Sequence, residues 1–194
     1  MIQLCAAPNQ VFCFDIVRIG PEAVEGIRPM LEDPSILKLC YDARCDADAM
    51  LHCHGVRLRG LYDLQIAYTL CHQDVKDPYL KGLQHALQHP GVVNDSDLVD
   101  ILARKRQCKT LMRNLGSYHM FMQRPIPVYV LEYCAVDVVF LFNMFSQWAP
   151  VCSNVSDTTE KRVRAYVDAE CQRSPRLMSL VDFPRGASSV QGQP

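Results

Sequence analysis

The chain has no excess of charge of either sign: its 194 residues carry 20 Lys and Arg against 21 Asp and Glu, a formal net charge of -1. A protein that holds nucleic acid by charge alone is clearly basic, so any phosphate-binding surface here has to be local. The ten cysteines include no Cys-x-x-Cys pair and follow no regular spacing. That pattern fits scattered reduced thiols better than a disulfide scaffold. His52 and His54 flank Cys53. Alternate residues of a helix point to different sides, however, and no second ligand cluster follows, so a zinc site is not expected there. Met1 leads straight into Ile-Gln-Leu-Cys with no basic region and no long apolar run, so no secretory signal is expected. Nor does any stretch read as apolar enough to span a bilayer. Internal repeats are absent too. Together these point to an intracellular protein of the cytoplasm or nucleus, without a membrane partner.

What is there suits a globular domain with one core and a tail: 49% of residues are hydrophobic and 21% charged. Residues 2–7 and 11–16 read as the two strands of a hairpin around Pro8-Asn9-Gln10. Residues 21–32 read as a helix with Pro in its first turn, and residues 36–40 as a short strand. A helix over 44–54 is stopped by Gly55, and Asp63 caps another over 64–71. Residues 80–116 are helical with breaks at Pro90-Gly91 and at 94–96. Pro125 and Pro127 open an amphipathic helix running to about Trp148. Ser156 to Glu160 has the form of a capping box for one more helix. The Gly, Ser, Gln and Pro composition after Pro184 predicts a disordered tail. The expected division is a domain over 1–150, a helical extension over 151–183 and a tail over 184–194. The layout is α/β, with helices against a small sheet.

Two carboxylates fall where core residues are expected. Val130, Cys134, Leu141 and Phe145 recur at helical spacing, and Asp137 lies on their stripe with Tyr133 one turn before it. A carboxylate there needs a cation, a metal or several hydrogen bonds. On periodicity alone, a partly exposed Asp at the edge of the stripe with Tyr133 simply packing remains open. In the earlier helix, Asp46 lines up with Ala49, Met50 and Cys53, whereas Asp48 faces elsewhere and Asp42 reads as a cap. Two converging carboxylates would suggest a divalent metal site.

The segment Lys38-Leu-Cys-Tyr-Asp-Ala-Arg-Cys-Asp46-Ala-Asp-Ala-Met-Leu resembles the second acidic motif of RNase D-like, DEDD-type 3′-5′ exonucleases. Leu61-Tyr-Asp63-Leu-Gln-Ile-Ala is similar to the segment that follows it in that family. Arg124-Pro-Ile-Pro127 and Leu131-Glu-Tyr133-Cys-Ala-Val-Asp137-Val resemble the Arg-Pro lead and the Tyr-x-x-x-Asp of the third motif. The likeness covers roughly residues 2–148. Its nearest form is the group named for a 3′-5′ exonuclease domain, some of whose members act in small-RNA pathways. The resemblance implies a ribonuclease H-like fold and four carboxylates holding two divalent cations, Mg²⁺ or Mn²⁺. One ion would activate water and the other stabilise the leaving oxygen. It assigns Asp46 and Asp137 to that metal site and gives Tyr133 the orientation of the attacking water.

The resemblance also carries a departure. The family's first motif, Asp-x-Glu, lies on a strand before the hairpin, and residues 1–4 already match the first hairpin strand. A fold lacking its first strand is therefore expected, with sheet edges that a protein partner would cover. Asp168-Ala-Glu170 has the right letters but falls in a helical pattern, where an i, i+2 pair diverges. The expected function is a 3′-5′ exonuclease domain acting on nucleic acid, single-stranded RNA foremost, and inactive if the missing carboxylates are not replaced. The alternative is a non-catalytic RNA-binding or scaffold module that keeps the fold. Arg104, Lys105, Arg106 and Lys109, with Arg113, form the basic cluster able to follow a phosphate backbone, and a solvated helix face is the competing reading. A cysteine-based small-molecule enzyme has no His-containing constellation to support it.

Overall fold

The amino-terminal hairpin forms where alternation and turn residues place it. In this computed structural model, which describes residues 1–8, 10–72, 80–114 and 119–173, β1 (Ile2–Ala7) pairs antiparallel with β2 (Gln10–Phe14). Ile2 lies opposite Phe14 and Leu4 opposite Phe12. The second strand ends earlier than its apolar run because Asp15 turns the chain. Its carboxylate accepts the Arg18 N–H at 3.3 Å and caps the short helix α1 (Ile16–Ile19). The single helix expected over 21–32 is two, α2 (Glu22–Glu25) and α3 (Arg28–Glu32). Pro29 has no N–H to continue a helix but suits the first turn of a new one, so the chain breaks ahead of it.

The strand β3 (Lys38–Cys40) leads into α4 (Arg44–His54), whose end is set by Gly55 in the left-handed region at φ 64°. Next, β4 (Leu61–Asp63) pairs parallel with β3, Lys38 opposite Leu61 and Cys40 opposite Asp63. The remaining elements are α5 (Leu64–Cys71), α6 (Leu83–Ala86), α7 (Asp95–Asn114), α8 (His119–Met122), α9 (Val128–Val136), α10 (Leu141–Trp148), a 3₁₀ turn (Ala149–Val151) and α11 (Val155–Arg173). Among the described residues the strands make two separate two-stranded ladders. β1 and β3, the neighbours of the strand expected to be missing, bond only to β2 and β4 and do not close on each other.

Side-chain packing joins the ladders. Leu64, Leu87, Met144 and Trp148 anchor the largest apolar cluster. Val24, Leu31, Met50 and Val56 form a second, against which Ile2 packs. Cys108, Met120, Val130 and Cys134 form a third that receives Met1 and Cys13 from the hairpin.

Several expectations are corrected. The helix after Pro127 is interrupted at residues 137–140. There Asp137, Val138 and Leu141 donate to the carbonyls three residues back, tightening the chain into turns. By length and composition residues Val128–Val151 would suffice to cross a membrane, contrary to the sequence reading. In the fold Val130, Cys134, Leu141, Met144 and Trp148 of that stretch are buried against protein. Cys71 and Cys152 bring their sulfurs together beside the largest apolar cluster, a meeting that 81 residues of separation hid from the sequence. α11 begins one residue before Ser156 and packs on α4, β4 and α5. The tail expected over 184–194 lies outside the described residues.

Candidate active site

α7 buries Leu102, Lys105 and Cys108, three residues apart each time, so Lys105 points inward with the apolar stripe. Its side chain is 3% exposed. An ammonium taken out of water needs an anion, and Lys105 donates to the carboxylate of Asp137, whose own side chain is 35% exposed. Tyr133, one turn before Asp137, presents its ring 4.6 Å from the Lys105 ammonium. Tyr133 and Asp137 therefore do come together, and what they share is a lysine. Reading α7 as an exposed basic face missed this, although the i, i+3, i+6 spacing with Leu102 and Cys108 carried the signal. Arg104, Arg106 and Lys109 do lie on the exposed face, and Arg104 pairs with Glu132 at 2.5 Å.

Asp46 sits on α4, whose buried side is Ala47 and Met50; Ala49, Cys53 and Asp46 lie on the open side. The expected stripe was thus one residue out of phase. Although its surface is accessible, the Asp46 carboxyl is pushed above the usual carboxylate range, first by the surrounding protein, then by the charges of Asp42, Asp137 and Asp63. Asp46 and Asp137 thus lie within reach of each other's field.

The other acids of that region serve structure. Asp63 is fully buried and accepts N–H groups from Asp42 at 2.9 Å, Ala43 at 3.1 Å and Gln65 at 2.9 Å. Arg162 of α11 reaches Asp63 at 3.3 Å, Gln65 at 2.9 Å and Asp42 at 3.4 Å. Buried Thr159 accepts the Asp63 N–H at 3.1 Å. Asp42 is not the cap of α4. It adopts a left-handed conformation at φ 63° and takes a bidentate pair from Arg44, which holds its carboxyl low. Neither Arg162 nor Thr159 stood out in the sequence, because an ordinary amphipathic helix carries such residues anywhere. Arg124, from the Arg-Pro segment, pairs with Asp15 after β2 and also donates to the Phe121 carbonyl at 2.8 Å. Asp168 is exposed on α11, so Asp168 and Glu170 lie on a helix and not on a strand.

Among the described residues no group of three or more His, Cys, Asp and Glu is arranged to hold a metal ion. With Asp137 already neutralised by Lys105, these side chains do not fit a two-cation site.

Residues 1–151 match the 3′-5′ exonuclease family. The chain is 27% identical over 142 residues to the piRNA biogenesis protein EXD1 of Mus musculus, covering 72% of this chain and 24% of that protein. It thus spans about a quarter of the length of that relative. The fold superposes on RNase D of Trypanosoma brucei with a TM-score of 0.67 and 26% identity, covering 85% of this chain and 57% of the other. Against the complex of the same protein with RNA U12 the TM-score is 0.63 at 25% identity, over 86% and 54% of the two chains.

Proposed function

The chain belongs to the 3′-5′ exonuclease family, and from that premise we propose that it engages single-stranded RNA and that these residues by themselves hold it with little hydrolysis. The observation that carries the reading is the contact of Lys105 with Asp137 and Tyr133. A buried ammonium supplies the positive charge that Asp137 would otherwise take from a divalent cation. RNA is the favoured ligand because RNase D, which shares this fold, has been crystallised with RNA. Arg104, Arg106 and Lys109 supply an exposed basic face for its phosphates.

The second reading is that hydrolysis is retained, and one observation favours it. The Asp46 carboxyl is raised first by burial and then by three neighbouring carboxylates, and a divalent cation would relieve the repulsion. One experiment separates the two. End-labelled single-stranded RNA is incubated with the purified chain and Mg²⁺ or Mn²⁺, and both anisotropy and product length are followed. Binding without shortening is expected. Shortening that disappears in Asp137→Asn would overturn the proposal and establish the second reading.

A further inference from the structure

His72, at the end of α5, and His89, in the turn after α6, face each other with their Nε2 atoms 2.8 Å apart. Their other ring nitrogens fix what those atoms can be. Nδ1 of His72 lies 2.9 Å from the Tyr68 carbonyl oxygen, and Nδ1 of His89 lies 3.1 Å from that of Pro90. A carbonyl oxygen only accepts, so both Nδ1 atoms carry the hydrogen, and in the neutral rings both Nε2 atoms present lone pairs. Two lone pairs pointed at each other repel, and the arrangement is stable only with something electropositive between them.

We infer that His72 and His89 form a binding site for a borderline divalent transition metal such as Zn²⁺ or Ni²⁺. Ligating histidines commonly donate the second ring N–H to a carbonyl or carboxylate, which fixes the tautomer and raises ligand basicity. Both rings here are set in that way. The site lies at the carboxyl-terminal end of α5, where unpaired carbonyls favour a cation. Metal–nitrogen bonds of about 2.0–2.1 Å at a tetrahedral angle separate two ligand nitrogens by about 3.3 Å. The imidazoles therefore swing apart by roughly half an ångström to admit the ion. His72 is exposed and His89 half-buried, so solvent reaches the pair. Among the described residues no third His, Cys, Asp or Glu completes the group. The ion would tie the end of α5 to the turn before Val92, over the buried Trp148 and Tyr68. This site is separate from the acidic cluster and does not rest on the proposed RNA-binding role.

The sole tryptophan of the chain reports on it. Trp148 lies 6.0 Å from the His72 ring centroid and 5.9 Å from that of His89. Ni²⁺ bound at the pair should quench its fluorescence, whereas metal bound by distant thiols or by the acidic cluster should do so weakly. The test titrates the full chain with Ni²⁺ and then adds Zn²⁺ as a diamagnetic competitor. Saturable quenching reversed by Zn²⁺ is expected. It should weaken at least about tenfold in His72→Gln and in His89→Gln and persist in His85→Gln. In the wild-type chain, Zn²⁺ should also shift the imidazole ¹⁵Nε2 resonances of His72 and His89, a readout that does not depend on how the variants fold. Unmoved resonances, or quenching equal in all variants, would overturn the site and leave a proton shared between the rings.

Discussion

A buried lysine and a half-exposed aspartate respond unequally to the loss of their partner. Lys105 has no route back to water, whereas Asp137 can rehydrate. Asp137→Asn should therefore cost about 3–5 kcal/mol, because it leaves an uncompensated buried charge. Lys105→Met should cost less, about 1–2 kcal/mol, since the apolar stem is largely replaced. Urea denaturation of both variants checks the order. The same reasoning predicts that Mn²⁺ raises the melting temperature of Lys105→Met more than that of the wild type, because Asp137 is then free to take a cation. Asp46 behaves in the opposite sense from an ordinary paired carboxylate. Its folded pKa lies above the unfolded value, so the folded state binds the proton more tightly. Ionisation therefore weakens folding as pH rises through the folded pKa, and the penalty vanishes below the unfolded value. Asp46→Asn should melt higher than wild type at pH 7, with the difference gone near pH 3. Thermal melts at both pH values decide this.

At the scale of elements, α11 is held to the β3–β4 ladder through one buried acid. Asp63 combines three backbone N–H groups with Arg162, and Thr159 covers its own N–H. Asp63→Ala would orphan those donors and should cost about 3–5 kcal/mol. Arg162→Ala, which removes longer contacts of a side chain 19% exposed, should cost about 1–2 kcal/mol and loosen α11 first. Amide exchange resolved along the chain would show α11 losing protection before α10 in that variant. Uniform loss across the domain would mean that α11 and the core unfold as one unit. The helix interruption at residues 137–140 belongs to this scale too, because it sets Asp137 at a helix end, where its side chain meets α7.

For the molecule as a whole, two ladders whose outer edges pair with no further strand among the described residues, together with a net charge of -1, leave little to oppose self-association. Size-exclusion chromatography over a concentration series should show the monomer giving way to larger species. A monomer at every concentration would mean that these edges are covered within the fold. The same near-neutral charge would make the proposed RNA binding depend on few contacts. With about three phosphates neutralised, log affinity should fall with log salt at a slope of roughly 2. Arg106→Ser together with Lys109→Ser should flatten that slope, whereas Arg104→Ser should do so less because Glu132 already engages it.

Local rules in the sequence determined the hairpin, the span of α4 with its Gly55 stop, the Asp63 cap and the motifs that place the chain in its family. Each depends on neighbours within a few residues, which is the range over which turn chemistry, capping and helical period act. Tertiary structure decided the rest. Whether Lys105 joins a phosphate-binding face or neutralises Asp137 depends on which side of α7 meets α9, and a one-residue phase error reverses such a reading, as it did for Asp46 on α4. The approach of Cys71 to Cys152, the reach of Arg162 to Asp63 and the facing of His72 by His89 join residues far apart in the chain. No periodicity encodes those meetings, because they follow from how separately formed elements pack on one another.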